Sequence, residues 1–141
     1  MKLFHKHSQS QDLVTMLVSN TVFEASQLMS ERSIGSILIM DGESLKGIFT
    51  ERDLLNRVVS KGLDPKKVPL SQVMTPHVVT VDVNDTLEAC YEKMQETRAR
   101  HVPIVDGGRV IGIVTMRNLL EWLWREIEDE NNHLKQYIQQ S

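Results

Sequence analysis

The sequence has a single cysteine, Cys90, among 141 residues. An intramolecular disulfide is excluded, and such usage fits a reducing compartment, so a cytoplasmic location is expected. Basic excess is missing too: 16 Lys and Arg stand against 19 Asp and Glu, for a formal charge of −3. A nucleic-acid binder needs a basic patch to neutralise phosphates, so no nucleic-acid partner is expected. Long apolar runs are absent. "SILIM" and "HVPIV" are the longest, far short of the ~20 residues that cross a bilayer, and no membrane partner is expected. The opening "MKLFHKHSQSQD" lacks the apolar centre of a secretory signal. His5 and His7 stand two apart with no third ligand nearby, which reads as a solvated tail more readily than a metal site.

What remains is ordinary globular material, 40% hydrophobic and 25% charged, enough for one compact domain or two very small ones sharing a core. Its strongest feature is an internal repeat. Val14–Leu55 aligns without a gap on Val79–Leu120, at a constant offset of 65 residues. Identical pairs include Thr15/Thr80, Thr21/Thr86, Met29/Met94, Ile39/Ile104, Gly42/Gly107, Gly47/Gly112, Thr50/Thr115 and Arg52/Arg117. Repeats of this kind decide the fold before any other signal does.

Each copy has the same order of elements. A short β-prone run is followed by Asn20-Thr21 or Asp85-Thr86, a helix N-cap signal. "TVFEASQLMSER" and "TLEACYEKMQET" then place apolar residues at helical spacing. Cys90 falls within that pattern and reads as a small buried hydrophobe. An apolar strand follows, then an Asp-Gly turn, a returning strand, and a second helix from near Glu51 or Met116. The unit is β-α-β-β-α, and the fold class is α+β. Boundaries are expected at 1–11 for a tail, 12–60 for the first unit, 61–72 for a linker, 73–125 for the second unit and 126–141 for a helical extension. Within the linker, Gly62 ends a helix, Asp64-Pro65 makes a turn, Lys66-Lys67 forms a solvated face, and "LSQVM" adds a helical turn. One such unit is too small to offset its conformational entropy alone. Two can pack about a pseudo-twofold axis, leaving two related clefts.

The phrases "GIFTERDLL" and "GIVTMRNLL" carry the chemistry. Gly lets another backbone or a ligand approach the strand. Thr ends the strand beside free helix amides, where the dipole favours an anion. Arg follows two residues on, able to fork onto phosphate oxygens. Asp53 lies about one turn from Thr50, where a carboxylate could accept ribose hydroxyls. The same spelling is also an ordinary capping box.

These phrases, with "VMTPHVVTVDVNDTLEACYEKM" and "RARHVPIVD", resemble the tandem cystathionine β-synthase (CBS) domain pair, or Bateman module, over about residues 12–125. The resemblance implies a stand-alone regulatory module that binds AMP, ADP, ATP or S-adenosylmethionine between its domains and needs no metal. It also implies pairing into a dimer. One cleft would join Thr50, Arg52 and Asp53 to Thr80, Val81, Asp85, Ala99 and Arg100, with Thr80–Val81 and Ala99 holding the adenine. A second, weaker cleft would join Thr115, Arg117 and Asn118 to Thr15, Met16, Asn20, Ile34 and Gly35, with His101 facing the phosphates. Asn118 is a departure, because an amide accepts through one oxygen and carries no charge. The first unit departs as well, lacking the usual Met-Thr-Pro lead-in.

A nucleotide sensor acting on a protein effector is therefore expected, with a nucleotide-free dimerisation scaffold as the alternative. No Ser/His/Asp set, Cys/His pair or metal cluster falls within a unit, so an enzyme is not expected. The tail "LLEWLWREIEDENNHLKQYIQQS" continues in helical rhythm through Leu119, Leu120, Leu123, Trp124, Ile127, Leu134 and Ile138. Glu126, Glu128, Asp129 and Glu130 are expected to face outward, Trp122 and Trp124 to lie on different faces, and the helix to pack on its twin in a homodimer.

Overall fold

The computed structural model describes residues 13–140. The chain divides into two compact units, Asp12–Val78 and Val79–Ser141. Each contains one three-stranded mixed sheet with helices, the α+β class expected from the repeat.

In the first unit, β1 (Thr15–Met16), α1 (Val22–Arg32), β2 (Ser36–Asp41), β3 (Ser44–Thr50) and α2 (Glu51–Asp53) follow in order. β1 is parallel to β2, and β2 antiparallel to β3. Thr21 caps α1 in a full capping box with Glu24. Hydrogen bonds from Asn20 and Thr21 hold the Glu24 carboxyl below its ordinary pKa, the Asn20 amide contributing most. Ile37, Leu38 and Ile39 are all buried, so neither face of β2 is open to solvent, as its unbroken apolar run requires. Ile37, Ile39 and Phe49 pack with Val22, Ala25 and Met29 of α1.

α2 does not continue as an ordinary α-helix. Leu54–Val59 is π-helical, with Ser60 N donating to Leu55 O at 2.9 Å and Leu63 N to Val58 O at 3.1 Å. The following stretch, which includes the expected linker, folds onto the first unit. α3 (Leu70–Val73) is the short helical turn expected there. Val68, Leu70 and Val73 enter the core, while Val68 O and Pro65 O accept from the amides of Val22 and Phe23. The first amides of α1 are thereby satisfied by chain rather than left open. Lys66, expected on a solvated face, extends over the Phe23 ring at 5.0 Å.

The second unit repeats the plan with β4 (Val81–Asp82), α4 (Leu87–Thr97), β5 (His101–Asp106), β6 (Arg109–Thr115) and α5 (Met116–Gln140). Thr86 caps α4, its hydroxyl accepting from Ala89 N at 3.0 Å. Both hairpins carry a register irregularity at the same place, between Ile39 and Met40 and between Ile104 and Val105. Such bulges bend a strand and re-aim its end. Cys90 is fully buried, and burial pushes its thiol pKa up to about 11, as expected for a packing residue.

α5 is one helix of 25 residues. Leu119 and Trp122 are buried in the second core, with Leu123 packed against it. Trp124 is 61% exposed, so the two tryptophans take different faces as expected. Glu126 corrects one expectation: it is only 6% exposed. It stands four residues after Trp122 and three after Leu123, on the core-facing side of the helix, while Glu128, Asp129 and Glu130 are exposed. Among the described residues, no helix is long and apolar enough to cross a membrane.

Candidate functional site

In each unit the repeated phrase lies where a strand turns into a helix. Ser36 pairs with Thr50, and His101 with Thr115, in the sheet register. One residue further on, Glu51 N donates to Gly35 O at 3.1 Å and Met116 N to Arg100 O at 2.9 Å. The helix start and the beginning of the middle strand are thus tied together twice, in equivalent ways. This ties Gly35 to the Thr50–Glu51 step, and Arg100 and His101 to the Thr115–Met116 step, whereas the expected clefts set Gly35 beside Asn118 and Arg100 beside Asp53. Arg52 and Arg117 are both exposed at the helix start, where a cation suits an anion, and Arg117 Nε lies 3.9 Å from Glu121 Oε1.

The acidic and amide members of the phrase behave differently. Asp53 is 7% exposed. Its Oδ2 accepts from Thr50 N at 3.0 Å, and its Oδ1 from Thr75 Oγ1 at 3.4 Å, with Arg57 Nε at 3.6 Å. Arg57 in turn donates Nη1 to Val73 O at 3.2 Å and Met74 O at 2.9 Å, a cation meeting the carbonyl end of α3. Asp53 is therefore the centre of a network that fastens the start of α2 to residues 73–75. The capping box is present, and about half of the carboxylate's roughly four acceptor sites accept hydrogen bonds within the unit, with Arg57 paired to it as an ion. Sequence reading passed over Arg57 and Thr75. The Asp53–Arg57 spacing of four was a legible signal; Thr75 gave none.

Asn118 is half-buried. Its Oδ1 accepts from Thr115 Oγ1 at 2.8 Å, and its backbone N–H donates to the same hydroxyl at 3.1 Å.

The glycine of the phrase is explained by another backbone. A Cβ on Gly47 would lie 2.9 Å from Thr75 O and 2.6 Å from Met74 Sδ. Ile48 and Thr75 exchange both backbone hydrogen bonds, at 3.0 and 2.9 Å.

The remaining candidates lie around the first strand of each unit. Thr15 and Met16 pair with Leu38 and Ile39, and Val81 with Ile104. Asn20 and Asp85 occupy equivalent places and do the same work: Asn20 Oδ1 accepts from Leu17 N at 2.8 Å, and Asp85 Oδ2 from Asp82 N at 2.9 Å. Both side chains shape the turn into the helix. Val81 is buried in the second core, leaving its backbone rather than its side chain to offer. Lys93, which sequence reading did not single out, donates to Thr80 O at 2.8 Å. Ala99 is half-buried beside the second core. Ile34 lines a pocket of about 430 Å³ in the first unit with Met29, Ser33, Glu51 and Leu54.

No group of three or more His, Cys, Asp or Glu that could hold a metal occurs among the described residues. His5 and His7 lie outside them.

Comparison with known proteins gives one consistent result. The CBS domain pattern matches residues 9–60 and again 70–125. An uncharacterised protein of Methanopyrus kandleri is 36% identical over 124 residues, covering 84% of this chain and 63% of its own. A CBS domain-containing protein of Bacillus subtilis is 32% identical over 114 residues, covering 81% of each chain. The chain thus spans just under two thirds of the first of these relatives and most of the second. Among solved structures, a CBS-domain protein from Burkholderia ambifaria superposes with a TM-score of 0.80 at 31% identity, covering 85% of this chain and 90% of its own. A CBS domain protein from Pyrobaculum aerophilum, complexed with AMP, has a TM-score of 0.75 at 21% identity, covering 83% and 89%.

Proposed function

The chain belongs to the CBS-domain family, and from that premise we propose that it is a ligand-sensing regulatory module, binding an adenosine-containing nucleotide and signalling to a protein effector. The observation that carries the reading is the doubled helix start. In both units a Thr-capped helix begins against the middle strand through equivalent hydrogen bonds, Glu51 N to Gly35 O and Met116 N to Arg100 O, with an exposed arginine on its first turn. The amides of Glu51, Asp53, Met116 and Asn118 already donate within their units, so the groups offered to a phosphate at each start are the helix dipole and the guanidinium. Thr80–Val81 and Ala99 would take the base, and Thr15, Met16, Asn20, Ile34 and Gly35 would serve the second, weaker cleft with His101 and Asn118. AMP in the Pyrobaculum protein supports this ligand class. AMP, ADP and ATP carry such a phosphate, S-adenosylmethionine shares the adenosine alone, and the reading calls for no metal and no turnover.

A homodimer is part of the reading. Leu55 and Val59 in the first unit, and Leu120 and Trp124 in the second, occupy equivalent positions and are each 51–61% exposed. An apolar pair repeated on both units suits a twofold partner surface.

The nucleotide-free scaffold is favoured by one observation of its own, the engagement of Asp53 by Thr50, Thr75 and Arg57. Calorimetry and thermal shifts with the four ligands separate the two. A ligand that binds only the folded chain raises its melting temperature by mass action. No heat and no shift at millimolar ligand would leave the scaffold, and release of phosphate or adenosine would reject both.

A further inference from the structure

We propose that α5 pairs with the α5 of a second copy as a parallel, in-register two-stranded coiled coil, and that Asn131 sets this orientation. The inference deepens the homodimer reading and rests on it.

Leu120, Trp124, Ile127, Asn131, Leu134 and Ile138 follow one another at steps of four, three, four, three and four. That is the a/d rhythm of a heptad repeat, with Trp124, Asn131 and Ile138 at a and Leu120, Ile127 and Leu134 at d. The five apolar members are each 51–69% exposed, and Asn131 is exposed. The row does not belong to the second unit's own core, which takes Leu119 and Trp122 from the same helix. At 100° per residue the exposed row lies about a third of a turn round from that buried face. It runs for about 27 Å, well beyond the end of the core contacts.

Asn131 decides the orientation. In a parallel in-register pair, a residues meet a residues, and Asn131 meets the partner's Asn131, amide to amide. In an antiparallel pair, a residues meet d residues. Every d position here is Leu or Ile, so Asn131 would be buried against an apolar side chain with its amide unsatisfied, in either available register. Charge agrees with the parallel solution. Glu130 at g and Lys135 at e, both exposed, are five residues apart, the spacing that brings g of one helix against e of the other. A single a-position Asn is a recognised register device. The consequence for the dimer is that the second unit of one copy stands beside the second unit of the other.

Single cysteines in the full chain test the orientation, since Cys90 is fully buried. The expectation is that Ile138→Cys forms a covalent dimer with itself under mild oxidation, with cross-linked chain rising at least tenfold over wild type. A mixture of Leu120→Cys and Ile138→Cys is expected to give no cross-link between the two different sites. Asn131→Leu, placed in both cysteine variants, is expected to admit the antiparallel form, so that the mixed cross-link appears. A Leu120–Ile138 cross-link with Asn131 intact, or a sedimenting dimer in which Ile138→Cys fails to cross-link, overturns the parallel pairing alone. Parallel-only cross-linking in the Asn131→Leu background removes Asn131 as its cause. A monomer at micromolar concentration removes the homodimer reading with it.

Discussion

The Arg57 guanidinium lies 3.6 Å from the Asp53 carboxylate, one turn along the helix, and both positions differ in the second unit. At the constant offset, Asn118 stands for Asp53 and Trp122 for Arg57. The exchange is therefore of a pair. The first unit uses an ion pair to hold residues 73–75, and the second places a buried aromatic where the cation would be. Replacing Asp by Asn alone in the first unit would strand Arg57 beside a neutral amide.

Arg57→Ala should destabilise the first unit by about 1–3 kcal/mol, because it removes donors to two carbonyls and leaves a buried carboxylate without its cation. The effect should appear in the urea midpoint. A double-mutant cycle with Asp53→Asn should give a coupling of about 0.5–3 kcal/mol. Additive losses would mean that the pair does not act as a unit.

Gly47→Ala should cost about 1–3 kcal/mol, since its Cβ would press on the Thr75 carbonyl, which is backbone and cannot rotate away. Gly42→Ala offers a contrast. Nothing lies within 4 Å of its Cβ, and its penalty comes from a φ of +61°. Hydrogen exchange should distinguish them, with Thr75 losing protection in the first variant only.

Much of this architecture was legible because the repeat has no gaps. Thr21 and Thr86 cap their helices as short polar residues before an apolar rhythm do, and the Asp-Gly steps turn both hairpins, with Gly42 and Gly107 at positive φ. What escaped depends on contacts far apart in sequence. The run from Gly62 to Lys67 has the chemistry of a turn, which hid the three core contacts of Val68, Leu70 and Val73. The π-helical Leu54–Val59 has no local spelling. The same is true of the site: Thr50 and Asp53 could be read as a phosphate-and-ribose grip or as a cap, and only the distances from Thr75 and Arg57 reveal how engaged the carboxylate already is.

Cys90 predicts a pH dependence. Its folded pKa is about 11 against an ordinary value of 9.0. Between these values the unfolded chain releases a proton that the folded chain keeps, so rising pH favours unfolding. Stability from this group is complete below pH 9 and lost as pH passes 11, by on the order of 2–3 kcal/mol for a two-unit shift. Urea midpoints from pH 8 to 11 should fall more steeply for wild type than for Cys90→Ala. Parallel slopes would place the alkaline sensitivity elsewhere.

The two phrases should not bind a nucleotide equally. An ionised carboxylate accepts hydroxyl protons more strongly than an amide oxygen, so the cleft containing Asp53 is expected to be the tighter. Asp53→Ala should weaken adenosine-ligand binding by about 1.5–3 kcal/mol, the worth of hydrogen bonds to a charged group, and Asn118→Ala by less. Because Asp53 also holds Arg57 and Thr75, its loss must be read against stability. Calorimetry well below the melting temperature of each variant, with Arg57→Ala as a control that loosens the same network but keeps the carboxylate, separates the two roles. If Arg57→Ala weakens binding as much as Asp53→Ala, the carboxylate acts by holding the helix start rather than by touching the ribose. If Asn118→Ala costs as much as Asp53→Ala, the clefts are equivalent and the exchange of Asp for Asn answers only to the packing of Trp122.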